Sequence, residues 1–216
     1  MKKPLILVVF FLILVSGLEA QVQAVVKEVS GKVEVKAAGA SAWLPAKAGL
    51  KLAKGSFVST GFNSTALLEL GPSLLSVKPL TRMQLEELIA KEGTVSTELF
   101  LKVGKVKAEV KSGAGLKQDF TVKSPVSTAA VRGTEFEFDG LTVKVINGLV
   151  FFSNTLGQGR VVGAGEQSTL SGTELPTSGD QENGNATQVD PYAAAGGGVT
   201  GAGTQVPGTA TVTIRW

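Results

Sequence analysis

The chain has 216 residues, 43% of them hydrophobic, which is enough for one domain with a buried core and a tail. It contains no cysteine and no histidine, so a disulfide framework, thiolate chemistry, Ser/His and Cys/His nucleophile pairs and histidine-ligated metal sites are all excluded. A formal net charge of +3, from 21 basic and 18 acidic residues, is too small to predict nucleic-acid binding.

Lys2 and Lys3 precede an unbroken apolar run from Leu5 to Val15, and Ser16-Gly17-Leu18-Glu19-Ala20 supplies a cleavage region. This pattern predicts a secretory signal peptide over residues 1–20, cut after Ala20. An uncleaved anchor is the alternative, but the run is shorter than the roughly 20 apolar residues a spanning helix needs. Membrane contact is therefore expected only through this peptide during export, and its removal lowers the formal charge from +3 to +2. The expected location is the periplasm, the cell surface or the medium.

From Gln21 the chain alternates. Val22, Ala24 and Val26 open a strand, and Val29 to Val35 carries a turn at Gly31 into a second strand. Residues 37–42 are small and polar and predict a loop, at whose end Trp43 either caps the core or offers a binding platform. A short strand lies between Gly49 and Gly55. Residues 80–91 are rich in helix formers, yet Met83 and Leu85 also alternate, and both readings stand on local signals alone. Val95–Val103 and Val106–Val110 alternate about Gly104, and Phe120 and Val122 alternate with Thr121 and Lys123 up to the break at Pro125.

After a bend at Gly133, Phe136 and Phe138 point to a core while Glu135, Glu137 and Asp139 face water. Asp139-Gly140 and Asn147-Gly148 read as tight hairpin turns, giving a three-stranded meander from Glu135 to Ser153. A closing strand is expected around Ser168 to Leu170.

Val58 to Leu70 aligns without a gap on Val126 to Phe138, each beginning Val-Ser-Thr and each ending apolar-Glu-apolar. Such a repeat predicts two related β layers that stack over a shared core. Where the first copy has Ser64-Thr65, the second has Arg132-Gly133. Between apolar strand residues, Arg132 is expected to be at least partly buried and to tie strands together through carboxylate or carbonyl partners; a ligand-binding arginine is the sharper alternative. Gly133 either lets the backbone turn or lets a neighbour approach closely.

Pro125, Val131-Arg132-Gly133-Thr134 and Glu135-Phe136 together resemble the signature of the FecR domain family of bacterial envelope proteins. Weaker matches flank it: Gly31-Lys32-Val33, Trp43 with Pro45, Gly49, Gly55 before Val58, Thr60-Gly61, the stretch from Pro79 to Thr81, Gly104-Lys105-Val106 and Gly165-Glu166. The resemblance spans about residues 24–170 and implies an all-β, non-catalytic module outside the cytoplasm, with a strand rather than a helix at 80–91. The fold expected is thus a single FecR-like domain over 21–171, a β-sandwich or a short β-solenoid-like stack.

Past Ser171 the chain becomes rich in Gly, Ala, Thr and Ser, so 172–208 is expected to be a linker or disordered tail. Ala210, Val212, Ile214 and Trp216 then alternate with Thr209, Thr211, Thr213 and Arg215, a terminal strand that docks on its own domain or on the edge of a partner sheet.

The function these features imply is binding or scaffolding in the cell envelope, with an envelope protein or polysaccharide as partner and no cofactor. Trp43, Pro125, Arg132, Gly133, Thr134 and Trp216 are the candidate structural or contact residues. The alternative is a periplasmic sensor in a FecR-type signalling system, which calls for a cytoplasmic segment that Met1 to Pro4 does not supply. Catalysis would have to rest on carboxylates, and Glu86-Glu87 and the pair Glu135 and Glu137 read as solvated charges.

Overall fold

A computed structural model of the chain describes residues 23–113 and 115–177. The expected signal peptide, the terminal strand with Trp216 and most of the tail lie outside the described residues.

Within them the chain is all-β, with no helix. The first strands are β1 Ala24–Ser30, β2 Val33–Lys36, β3 Leu44–Pro45, β4 Lys51–Leu52, β5 Phe57–Thr60, β6 Thr65–Leu70, β7 Ser73–Val77 and β8 Arg82–Lys91. They are followed by β9 Thr94–Val103, β10 Val106–Glu109, β11 Lys117–Lys123, β12 Ser127–Val131, β13 Glu135–Phe138, β14 Thr142–Asn147, β15 Leu149–Asn154, β16 Gly159–Gly163 and β17 Gln167–Thr169. They form an eight-stranded sheet, β17-β14-β13-β10-β7-β6-β1-β4, and a nine-stranded sheet, β16-β15-β12-β11-β9-β8-β5-β2-β3.

Apart from the first edge, strand order in each sheet follows chain order, so the chain winds along a sandwich by passing repeatedly from one sheet to the other. The two architectures expected from the sequence meet in this arrangement. Only β9 and β11 pair in parallel among the described strands, because the single strand β10 intervenes in the opposite sheet and two reversals restore the direction.

Alternation fixes the inner faces. Ala66, Leu68 and Leu70 of β6 and Phe136 and Phe138 of β13 point inward from one sheet, and Phe120, Val122 and Phe152 from the other. Across the core Phe120 meets Phe136 edge-on at 6.5 Å and Phe138 meets Phe152 at 6.2 Å. Residues 80–91 contain a strand, β8, in which Met83 and Leu85 are buried and two bulges let the outer positions stay polar. Core packing overrides helix propensity there.

Three pairs of turns between sheets share one construction. Gly104, at φ +99°, lies between β9 and β10, and a Cβ on it would stand 2.3 Å from the hydroxyl of Thr81, the residue before β8. The Thr81 hydroxyl accepts the Lys105 N–H at 3.0 Å and donates to the Lys105 carbonyl at 3.1 Å. Gly31 stands against Ser64 and Gly148 against Thr134 in the same way. Ser64 accepts the Lys32 N–H at 2.8 Å, and Thr134 donates to the Leu149 carbonyl at 2.9 Å. Thr60 joins neighbouring crossings, accepting the Thr81 N–H at 3.0 Å and donating to the Lys78 carbonyl at 2.6 Å.

Two expectations change. The meander from Glu135 to Ser153 is broken: Asp139-Gly140 closes a β13–β14 hairpin, but β15 leaves Gly148 for the other sheet and pairs with β12. Gly148 is the close-contact partner of Thr134, so its turn serves a crossing rather than a hairpin. The repeat is structural at its end, where β6 and β13 both begin after a crossing and bury alternate residues. At its start it is out of phase, since Val58 is buried and Val126 is exposed. The second copy runs β12 on to Val131 before it crosses, whereas β5 of the first stops at Thr60.

Residues past β17 still pack on the domain: Pro176 is buried, and the Asn154 amide donates to the carbonyls of Thr173 and Glu174. Gln118, only 2% exposed, and the Thr97 hydroxyl face inward without a hydrogen-bond partner among the described residues.

Replacing Gly104 with Ala adds a left-handed backbone penalty to an overlap with Thr81 and is expected to cost about 2–4 kcal/mol in urea unfolding. Thr81→Ser, which keeps the hydroxyl, is expected to cost far less than Thr81→Val, which strands the Lys105 N–H. Gln118→Leu is expected to stabilise the domain by about 1–3 kcal/mol, read from the same unfolding curves.

Candidate functional site

The sequence places few chemically versatile groups, so the outer faces of the two sheets carry what the protein can do. On the eight-stranded sheet several outward lysines are paired: Lys27 with Glu69 at 3.1 Å, Lys107 with Glu135 at 2.7 Å, and Lys111 with Glu109 at 2.7 Å. The hydrogen bond to Glu135 holds the Lys107 ammonium above its ordinary pKa, with Glu137 and Glu109 adding to the effect against the opposing influence of burial. These pairs make a solvated, neutralised face rather than a polyanion patch.

The nine-stranded sheet carries ion pairs as well, Lys123 with Glu98 and Lys54 with Glu87 among them, and adds aromatic and apolar groups at its two ends. At its β3 end Trp43 is half-buried on the outer face, edge-on to Phe57 of β5 at 6.4 Å. Lys36 Nζ lies 5.5 Å from the centre of the Trp43 ring, and the Arg82 guanidinium carbon 5.3 Å from it. The core-capping reading of Trp43 is therefore corrected. Lys36 and Phe57 are outward positions of β2 and β5, so the indole that joins them lies outside the core. There it fastens the edge strand by ring and cation–π contact.

At the opposite end, β12, β15 and β16 frame a shallow groove of about 490 Å³. The outward row Thr121, Ala130, Phe151, Val161 crosses four paired strands, small at the floor and large toward the sheet edge. Leu149, Phe151 and Val161 are 61%, 45% and 58% exposed. Three apolar side chains thus stand together in water, an arrangement that marks contact surfaces. Arg132 forms the rim, its Nε donating to Asp119 Oδ1 of β11 at 2.7 Å.

Arg132 was expected to be partly buried, and that expectation is corrected. Its side chain is 77% exposed. Val131 takes the last inward position of β12 and turns Arg132 out, where a neighbouring strand supplies the carboxylate. Of the other residues read from the motif, Pro125 sits exposed at the tip of the β11–β12 hairpin, where the hydroxyls of Ser124 and Ser127 both donate to the Gly140 carbonyl. Gly133, at φ +67°, has open space around a would-be Cβ, so it serves the turn and not a close approach. Thr134 is buried beneath Gly148. The motif therefore builds the crossing from β12 to β13 and brings Arg132 and its neighbour Val131 to the groove.

Sequence reasoning missed Leu149, Phe151 and Val161. A signal was present: Leu149-Val150-Phe151-Phe152 is apolar at every position, so a half-buried strand had to show apolar groups to water. Among the described residues no group of three or more His, Cys, Asp or Glu is placed to hold a metal ion, and no helix is long and apolar enough to cross a membrane.

Residues 56–151 match the family model described as FecR protein. No curated protein matches the chain. Two crystal structures of a candidate anti-sigma factor from Parabacteroides distasonis, at 1.65 and 2.50 Å resolution, are similar to it at 16% identity with TM-scores of 0.45 and 0.46. The similarity covers 56% of this chain and 59% of theirs, so it extends over less than two thirds of that protein.

Arg132→Ala is expected to change stability by at most about 1 kcal/mol, the range of exposed ion pairs, where a buried tie would cost several. For Lys107 the raised pKa means that its contribution is fully present below the unfolded-state value near 10.4 and is lost as pH rises through the higher folded value. Lys107→Met is therefore expected to alter the unfolding midpoint equally at pH 6 and pH 9, and to lose that difference only in strong alkali.

Proposed function

We propose, from the premise that this chain is a FecR-domain protein, that it is an exported, non-catalytic binding module of the bacterial cell envelope. Its groove beside Arg132 takes an extended apolar segment of a partner protein. One observation carries this reading: Leu149, Phe151 and Val161 stand exposed around a depression floored by Ala130, with one cation at the rim already paired to Asp119. A groove of this kind recognises alternate apolar side chains of a strand laid along it.

Other features agree. The apolar run behind Lys2 and Lys3 supports export, and the absence of imidazole and thiol leaves binding as the chemistry best supplied. A polysaccharide is a weaker fit, because Trp43, the one tryptophan of the sandwich, already has Phe57, Lys36 and Arg82 around it. The match to the FecR family favours a second reading in which the bound partner belongs to a signalling system, making the protein a periplasmic sensor or regulator.

The test is capture from solubilised envelopes by the immobilised full chain. Phe151→Asp is expected to lower recovery of a specific protein about 30-fold, the effect of losing a contact worth 2 kcal/mol, while Trp43→Ala retains it. Capture unchanged by Phe151→Asp would overturn the assignment, and recovery of a polysaccharide dependent on Trp43 would move the site to the other end of the sheet.

A further inference from the structure

The groove opens toward β16, the last strand of the nine-stranded sheet, which among the described residues pairs only with β15. A strand in that position offers outer backbone groups as a template. Those of Gly163 are taken by Glu166, whose Oε2 accepts the Gly163 N–H at 2.7 Å and whose N–H donates to the Gly163 carbonyl at 3.1 Å, so the template is the stretch around Val161. The chain itself leaves the domain beside it: Arg160 of β16 donates to the Pro176 carbonyl at 3.3 Å, and Thr177 N–H donates to the Thr169 carbonyl at 2.9 Å. Val161, the next residue of β16, is a wall of the groove.

We infer that the occupant of this groove, when no partner is bound, is the chain's own segment Thr209–Trp216. It adds as a strand to the edge of β16 and lays Val212, Ile214 and Trp216 over Leu149, Phe151 and Val161. The inference rests on the groove reading above and assigns that site a built-in competitor.

Three observations carry it. The segment alternates Ala210, Val212, Ile214 and Trp216 with Thr209, Thr211, Thr213 and Arg215, so as a strand it presents one apolar face. The inner side of this end of the sandwich is already closed, since Pro176, Val162 and Leu170 are buried. An added strand therefore finds open apolar surface only on the outer side, where the row Thr121, Ala130, Phe151, Val161 ends at the edge. Reach is sufficient as well: about 30 residues, 178–208, separate Thr177 from Thr209, and a Gly-rich chain of that length spans ~30 Å root-mean-square. Such a tether holds its end at roughly millimolar effective concentration, so even a weakly binding strand is seated.

The chain has two tryptophans, and replacing Trp43 with Phe leaves Trp216 as the only indole reporter in the full chain. Its emission is expected to be blue-shifted, and acrylamide to quench it several-fold less efficiently than the free peptide of residues 209–216, independently of protein dilution. Phe151→Asp is expected to return both readings to those of the free peptide; Leu149→Asp repeats the test should the first variant fail to fold. Three results would overturn the inference: Trp216 as accessible as in the peptide, protection that survives both aspartate variants, or protection that disappears on dilution together with a dimer.

A chain ending at Gly208 separates this inference from the function proposed above. If the segment is seated nine-tenths of the time, its removal raises apparent affinity for a groove partner about tenfold. Partner capture with an accessible Trp216 sinks the inference alone, while a protected Trp216 with no groove-dependent capture sinks the proposed function alone.

Discussion

The fold depends on the contact between a glycine and a buried hydroxyl where the chain passes from one sheet to the other. Gly31 against Ser64, Gly104 against Thr81 and Gly148 against Thr134 each join two crossings that are neighbours in space. A crossing turn leaves backbone groups that neither sheet can pair, and at the rim of a sandwich water reaches them poorly. The hydroxyl satisfies those groups, and the glycine gives the backbone room to come close enough for it to do so. With Thr60 joining Ser64's crossing to that of Thr81, the first two contacts lie along one rim, while Thr134 and Gly148 meet at the opposite one, where the Val110 N–H donates to the Thr134 carbonyl at 2.9 Å. Crossings are thus fixed against their neighbours at both rims, and strand order follows chain order apart from the first edge.

That winding decides what the surface offers. Because every strand belongs to a sheet whose inner face is filled, functional side chains are confined to outer positions and to the two ends. Lysine–carboxylate pairs occupy outer positions of both sheets. The nine-stranded sheet also carries Trp43 at its first edge and the apolar groove near its last, separated by the width of the sheet. The binding role proposed above rests on the second of these. The groove is lined by strand residues on a rigid scaffold, and it lies where the sheet edge is open and the chain departs.

Much of this was legible in the residues. The alternation that marks β6, β11 and β13 is local, and the structure buries the same phase that the pattern implied. The Pro125 to Phe136 motif announced a domain family before any geometry was known, and residues 56–151 match that family. The site was less legible. Arg132 looked buried because it follows Val131 between two alternating strand segments, yet whether an arginine at a strand end turns in or out depends on which phase the last inward residue takes. The repeat misled as well, since Val58 and Val126 occupy like places in the sequence, yet Val58 is buried in β5 and Val126 is exposed in the turn before β12.

The sequence by itself determined the β character of most of the described chain, residues 80–91 excepted, which face of most strands is apolar, and where the backbone must bend, because these are properties of successive residues. Only the tertiary structure decided which sheet each strand enters, and with it the fate of the Asn147-Gly148 turn, the position of Trp43 outside the core and the gathering of Leu149, Phe151 and Val161 into one groove. Those outcomes turn on how many times the chain has crossed before a given strand. That parity is set by contacts such as Thr81 with Lys105, 24 residues apart, which no local pattern encodes.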